Sequence, residues 1–393
     1  MSVQQSERLV SLDVFRGLTI AGMILVNNPG SWSTIYPALQ HAKWNGCTPT
    51  DYIFPFFLFI VGVAITISLT KRKESGVDQK KLIWQIFKRG LIIFAIGIFM
   101  AAWPFWNFTD DKFIDLSLLR IPGVLQRIGV VYFITSLIFL KTNIKSQAVI
   151  GILLLVVYWI IMTLIPVPGY GIPNLNVATL TDPVTQEKFA PNLAGWLDHL
   201  ILGNHMWKAS KVWDPEGILS TIPAIATCLS GVMLGHWLRS KNDASTKTSW
   251  MFVFGNFAIL IGVIWDMWFP MNKSLWTSSY VMFTSGMALL FFGMCYWIID
   301  VKGIKWWTKP FVVYGMNAIT VFALSGLVAK TMGIIKVTND LGEKISLNKY
   351  LYQQIFVPYF SPLNASLAWA LTYVLIWLGL MWILYAKKIF IKV

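Results

Sequence analysis

Long, uninterrupted apolar runs constrain this chain more than any other feature of its sequence. An α-helix of about twenty apolar residues crosses the ~30 Å hydrocarbon core of a bilayer. Ten such stretches stand out, at about 12–33, 51–70, 82–103, 119–140, 146–166, 216–238, 249–269, 277–300, 309–329 and 363–386. Hydrophobic residues make up 56% and charged residues 13% of the chain, against about 45–50% and about 25% in soluble domains. That excludes a soluble globular enzyme, a disordered chain and a fibre. A transmembrane barrel is excluded as well, because its strands alternate over ~10-residue segments. The expected fold is all-α: a polytopic membrane protein of about ten transmembrane helices. One transmembrane domain over 1–393 is expected, with long outer loops at about 167–215 and 330–362.

The net charge of +14 is explained by lysines and arginines gathered in cytoplasmic loops, so no nucleic-acid partner is expected. With the N-terminus in the cytoplasm, 19 of the 32 cations fall inside. They include Arg8, Lys71-Arg72-Lys73, Lys88-Arg89, Arg239, Lys387-Lys388 and Lys392. Arg16, Arg120 and Arg127 are left within the spans. An even number of spans returns the C-terminus to the cytoplasm. The first apolar run ends in Asn27-Asn28-Pro29-Gly30 rather than in a small-x-small cleavage site, which reads as a retained helix. Three cysteines, Cys47, Cys228 and Cys295, imply no disulfide framework. No Cys/His cluster has zinc-ligand spacing, and no metal is expected.

Polar residues at membrane depth carry the functional signal, because a charge there costs about 2.5–3.5 kcal/mol and needs a reason. Asp13 and Arg16 lie one helical turn apart at the start of the first span. They form either an interfacial ion pair or the entry for an anionic ligand. Arg120 and Arg127 are seven residues apart, which puts them on one face if the segment is helical. With no acid within a turn, Arg127 points to an anionic ligand or to pairing with Asp13 or Asp266. Asn27–Gly30 either interrupts the first span at a cavity or ends it. His41, Asn45 and Asp51 form a polar cluster just outside the membrane. His41 titrates near neutrality as a residue type, and Thr50 or Asp51 suits an N-cap. His199, His205 and His236 are weaker candidates. Asp214-Pro-Glu-Gly217 reads as the N-cap of the sixth span. Trp196, Trp207 and Trp213 suggest a lid or an interfacial aromatic belt.

Taken together these segments resemble the heparan-α-glucosaminide N-acetyltransferase family. The resemblance rests on Ser11-Leu-Asp-Val-Phe-Arg-Gly17, Asn27, His41-Ala-Lys-Trp-Asn-Gly46 and Asp51-Tyr-Ile-Phe-Pro55. It continues through Val124-Leu-Gln-Arg127-Ile-Gly129, Asp214-Pro-Glu-Gly-Ile-Leu-Ser-Thr-Ile-Pro223, Asn272-Lys-Ser-Leu-Trp-Thr-Ser-Ser-Tyr280 and Gly315-Met-Asn317. These occur in the family's order over nearly the whole chain.

The resemblance implies an acyltransferase that passes the acetyl group of cytoplasmic acetyl-CoA to the amine of a glucosamine on the other side of the bilayer. It matches His41 to the active-site histidine and Asn27 to a nearby polar asparagine. His41 would act as general base or carry the acetyl group itself, and Asn27 would donate to the oxyanion. Trp44, Asn45, Asp51, Asp214, Glu216, Asn272 and Lys273 are the candidates for sugar binding. Asp13, Arg16, Arg120, Gln126, Arg127 and Asn317 are those for acetyl-CoA, with Lys88 and Arg89 further options for its phosphates. Animal members carry an additional lumenal segment and span. The expected acceptor for this core is therefore a periplasmic amino sugar at a bacterial inner membrane, rather than heparan sulfate. A homodimer is compatible with the family. The alternatives are an O-acyltransferase of a surface polysaccharide and a small-anion or sugar transporter.

Overall fold

A computed structural model describes residues 9–108, 112–183 and 185–391; Arg8 and Lys392 lie outside the described residues. Thirteen α-helices are present among them: α1 Val10–Asn27, α2 Ile53–Glu74, α3 Gln79–Ala102, α4 Val124–Lys141, α5 Ile144–Leu164, α6 Leu193–Leu202, α7 Thr221–Leu238, α8 Ala244–Asp266, α9 Ser278–Cys295, α10 Lys309–Met316, α11 Ala318–Ile334, α12 Leu347–Ile355 and α13 Pro362–Ala386. Nine of the described helices, α2 and α9 counted with their short flanking turns, are long and apolar enough to cross a membrane; the bent pair α10–α11 would make ten. The all-α polytopic expectation is met.

Two differences from expectation bear on the site-carrying helices, one with a local cause and one with a distant one. The first span closes at Asn27, not near 33. Asn28 leaves helical dihedrals and its side-chain amide donates to Ile24 O (2.8 Å), capping a carbonyl that the helix cannot satisfy. The expected span 309–329 is instead two helices bent by 81° at Asn317. There the backbone is non-helical (φ −124°, ψ 39°). The Asn317 side chain is held by the C-terminal segment, donating to Ile389 O (3.1 Å) and accepting from Ile391 N (2.9 Å).

The chain divides into two compact units. Among the described residues, 9–40, 241–256 and 287–391 form one. In it α1 meets α10 almost backbone to backbone: a Cβ on Gly17 would stand 1.8 Å from Phe311 O, and one on Gly315 2.3 Å from Asp13 O. Small residues allow such approach between helices in lipid. Residues 336–338 and 344–346 pair as an antiparallel hairpin, so the expected loop 330–362 holds the end of α11, this hairpin and α12.

The second unit comprises 41–240 and 257–286, with residue 393 outside the described set. Its α2 and α7 touch through Gly62 and Gly231, where a Cβ would lie 1.9 Å from Cys228 O and Phe59 O. The segment between α5 and α7 is ordered by the hairpin Leu180–Thr181 with Lys188–Phe189 and by α6. Trp213 in this segment is buried, edge-on to Trp44 (5.1 Å) and tilted against Trp207 (5.5 Å). Asp214 does not cap α7. That helix starts only at Thr221, with Ser220 at its N-cap and no side-chain cap bond; the Asp214 carboxylate lies before it, accepting from Glu216 N (2.9 Å) and binding Arg120.

Candidate active site

His41 stands at the head of the second unit, in the turn-rich stretch before α2. Its Nδ1 is 2.6 Å from Asp51 Oδ1. The histidine side chain is 45% exposed and the aspartate 1%, so the ring faces outward from a buried carboxylate. Asp51 is fixed by the turn that opens α2. Pro49–Tyr52 is a 3₁₀ turn with a capping box between Thr48 and Asp51, and this satisfies backbone donors that the helix start would leave orphaned. Asp51 Oδ2 accepts from Thr48 N (3.0 Å), Thr48 Oγ1 (3.1 Å) and Ala42 N (3.0 Å). Asp51 O accepts from the Tyr280 hydroxyl (2.6 Å). The N-cap is Thr48 rather than Thr50 or Asp51; Asp51 stands three residues on, where its carboxylate serves both the capping box and the His41 ring.

Lys273 joins from the turn between α8 and α9. Its Nζ is 2.9 Å from His41 Nδ1, 3.3 Å from Nε2 and 3.5 Å from Asp51 Oδ1. Nδ1 has one in-plane valence, so it serves one partner at a time. The shorter contact is with a carboxylate, an obligate acceptor, which assigns the proton to Nδ1 and leaves Nε2 as the acceptor. Burial lowers the Lys273 ammonium below the usual lysine range, and Asp51 partly opposes this. Burial pushes the neighbouring Cys47 thiol up, away from thiolate chemistry.

The remaining sugar-binding candidates separate into two groups. Asn45 and Asn272 sit beside this cluster: Asn272 Nδ2 donates to Asn45 Oδ1 (3.0 Å), and Asn45 Nδ2 donates to Asn176 Oδ1 (3.1 Å). Asn272 is fully buried, and its Oδ1 accepts from Leu275 N (2.9 Å), so its amide shapes the turn carrying Lys273. Trp44 donates through Nε1 to Leu175 O (2.9 Å). Asp214 and Glu216 belong instead to an ion cluster with Arg120. That arginine bonds Asp214 through Nε (2.8 Å) and Nη2 (2.6 Å), and Glu216 through Nη2 (2.5 Å).

Arg120 and Arg127 do not share a helix face, because α4 begins only after Gly123. Arg127 is buried and pairs with neither Asp13 nor Asp266. Its Nη2 donates to Gly217 O (3.0 Å) and Ser220 Oγ (2.5 Å), and its guanidinium lies over the Trp276 ring (5.2 Å). Its Nε and Nη1 have no hydrogen-bond partner among the described residues. Gln126 fills the space beside Gly97 and Gly123, its Oε1 2.2 Å and 2.6 Å from where their Cβ atoms would be.

In the first unit, Arg16 Nη1 reaches Asp13 Oδ1 (3.2 Å) and Gly315 O (3.4 Å). Asn317 is used by the C-terminal segment, as described. Asn27 ends α1 with an exposed side chain. Of the other histidines, His205 Nδ1 bonds Leu119 O (2.8 Å) and His236 Nε2 meets Gln147 Oε1 (2.9 Å). Sequence reasoning passed over Asp198. It is buried, accepts from Ile218 N (2.8 Å) and Asp214 N (3.3 Å), and is pushed up to about 6 by burial. An isolated Asp in a loop carried no signal for it. Among the described residues, no group of three His, Cys, Asp or Glu could hold a metal ion.

Comparison with known proteins places this geometry. The family model described as heparan-α-glucosaminide N-acetyltransferase, catalytic, matches residues 8–265. The chain is 32% identical over 355 residues to heparan-α-glucosaminide N-acetyltransferase of Homo sapiens, covering 80% of this chain and 52% of the human protein. It is 30% identical over 357 residues to the Mus musculus protein of the same name, covering 81% and 53%. The chain spans about half the length of these curated relatives. His41 and Asp51 lie inside the range matched by the family model; Lys273 lies beyond it.

Proposed function

Because the chain belongs to the heparan-α-glucosaminide N-acetyltransferase catalytic family, we propose that it transfers the acetyl group of acetyl-CoA to the amine of a glucosamine-type sugar through His41. The observation that carries this reading is the exposed His41 ring held by a buried carboxylate at 2.6 Å. An ionised Asp51 orients Nδ1–H and leaves Nε2 to accept a proton, an arrangement that serves acyl transfer on unrelated folds.

In the proposed reaction the sugar amine attacks the thioester carbonyl. The C–N bond forms, the C–S bond breaks, His41 Nε2 takes the proton shed by the nitrogen, and CoA leaves as the thiolate. Lys273 provides a second proton-accepting or donating group at the ring edge. Asn45 and Trp44 border the sugar. Asn27 is kept as the proposed oxyanion donor on the family resemblance. Arg127 is the strongest candidate to meet the cofactor, because two of its nitrogens, Nε and Nη1, lack partners among the described residues and buried donors demand them. Asp13, Arg16, Gln126 and Asn317 are retained for the same role. Arg120, Asp214 and Glu216 serve one another, which favours a supporting role. The reading extends to one acyltransferase domain, cytoplasmic acetyl-CoA, a periplasmic acceptor at a bacterial inner membrane, and a homodimer.

The test is CoA release from acetyl-CoA by the detergent-purified protein, with and without glucosamine, for wild type and His41→Ala. Release that depends on glucosamine and is lost in the variant is expected. Full activity in the variant would overturn the assignment of His41. Acetyl esters labile to mild base would favour the O-acyltransferase alternative. The 81° bend at Asn317 is the one observation favouring transport, since transporters use broken helices. Glucosamine uptake into vesicles without CoA release would establish that.

A further inference from the structure

We infer that Asp198 is a positioning residue for the acetyl-CoA site: its carboxylate clamps the turn 214–218, and that turn aims the Arg127 guanidinium. The inference rests on the acetyltransferase reading above, in which Arg127 meets the cofactor, and it gives Asp198 a role exercised through another residue.

Asp198 stands where a carboxylate costs stability. It lies on α6 and is 2% exposed. Its hydrogen bonds both come from the backbone: Ile218 N donates to Oδ1 (2.8 Å) and Asp214 N to Oδ2 (3.3 Å). Among the described residues no lysine, arginine or histidine forms an ion pair with it. A buried charge without a paired cation is expensive. A carboxylate, however, offers two acceptor oxygens and no donor, which is what two converging N–H groups require. Asp198 is therefore matched to the turn rather than to a counter-ion.

The match is close. A Cβ on Gly217 would lie 2.0 Å from Asp198 Oδ2. Position 217 takes glycine because the carboxylate occupies the space that a side chain would need.

The clamped turn faces Arg127. Gly217 O lies between the two clamped amides in sequence and accepts from Arg127 Nη2 (3.0 Å). Ser220 Oγ accepts from the same nitrogen (2.5 Å) and donates to Gly217 O (3.2 Å). The Trp276 ring lies against the guanidinium at 5.2 Å. Such a contact fixes the height of the guanidinium over the ring but not its direction. Direction comes from Gly217 and Ser220. A displaced turn would therefore re-aim Nε and Nη1, the two nitrogens left without partners among the described residues. The same turn supplies Asp214 and Glu216 to Arg120, so Asp198 and Arg120 hold it from separate attachments.

The test is a double-mutant cycle, read as CoA binding to the purified protein at neutral pH. Asp198→Asn keeps the size of the side chain but presents an NH₂ group to one of the two amides. It should weaken CoA binding about tenfold and change kcat at saturating acetyl-CoA by less than about twofold. In an Arg127→Met background no guanidinium is left to aim, and the same change should cost no more than about twofold. A further tenfold loss there, or a lowered melting temperature with unaltered CoA affinity, would make Asp198 merely structural and overturn the proposal. Gly217→Ala presses on the carboxylate from the other side. It should reproduce the effect of Asp198→Asn without adding to it, and additive losses would count against the clamp. In wild type, CoA should slow hydrogen exchange over residues 214–218; no change there would overturn the proposal without any variant. Failure of the wider reading is distinct. Full activity in His41→Ala beside a coupled cycle would remove His41 and leave Asp198 standing. Unaltered CoA affinity in Arg127→Met would remove Asp198 together with Arg127 and leave acetyl transfer through His41 untouched.

Discussion

The Asp51 carboxylate serves two masters in opposite directions: one oxygen accepts from the backbone at Thr48 and Ala42 to start a helix, and the other holds His41 Nδ1 at 2.6 Å. Helix capping and ring orientation are therefore coupled. A group that must be buried and charged to cap the turn is, for the same reason, a fixed acceptor for the imidazole.

Asp51→Asn keeps the size and part of the cap but loses the obligate acceptor facing Nδ1. The amide can turn an N–H toward the ring and select the wrong tautomer. A fall in kcat of about 10³–10⁴ with a small change in KM is expected, as at comparable dyads. The accompanying stability loss should be about 1 kcal/mol, the usual worth of a cap. Steady-state kinetics beside a thermal melt distinguish the two effects. A large melting shift with proportionate activity loss would make Asp51 merely structural.

Lys273 should leave a mark on the pH dependence of stability. Its folded-state pKa is lowered, chiefly by burial. Below the ordinary lysine value of about 10.4 the unfolded chain then binds more protons than the folded one, so stability rises with pH across that window. Lys273→Met should flatten the rise and remove any increase in kcat over the same range. Melting temperature and rate measured against pH check this; an unaltered slope would show that Lys273 is not the titrating group.

Asp198 has the opposite sign. Its folded-state value is pushed up to about 6 from 3.8 by burial. Between those values the folded form binds more protons, so this group's contribution to stability falls as pH rises from about 4 through about 6. Asp198→Asn, which stays neutral, should cost stability at about pH 4, where the protonated acid is at its best, and cost less at about pH 7. A melt series over that range tests the sign, and a cost that grows with pH would contradict it.

The Arg120 cluster predicts stability rather than cofactor affinity. Asp214 is buried against a bidentate guanidinium. Removing one partner of a buried pair leaves the other uncompensated, at about 3–5 kcal/mol. Asp214→Ala should therefore destabilise the protein strongly; Arg120→Lys should do so by less, since a lysine keeps the compensating charge but cannot reproduce the bidentate fork. Thermal melts with and without acetyl-CoA would show it. An unchanged melt with a raised KM for acetyl-CoA would return Arg120 to the cofactor.

The sequence carried the membrane class and approximate spans because apolar length is a local property: a run of twenty residues needs no partner to declare itself. It carried His41, Asp51 and Asn45 as a cluster because they sit within one short loop. It also placed Asp214 and Glu216 near a helix start, yet as a cap, because capping is the commonest local use of such a motif. Only folding shows that α7 begins at Thr221, past this motif, and that the Asp214 carboxylate pairs with Arg120 from far along the chain.

Distance along the chain marks the limit. Apolar spans, turn residues and the proximity of His41 to Asp51 were determined by the sequence itself, since they depend on neighbours within a few turns. The tertiary structure alone decided that Lys273 reaches the His41 ring, that α10 and α11 bend at Asn317, and that Asp198 is a buried acid. Each of these is set by contacts between segments far apart in sequence, where burial and the competition for a single hydrogen-bond partner are resolved only once the helices have packed.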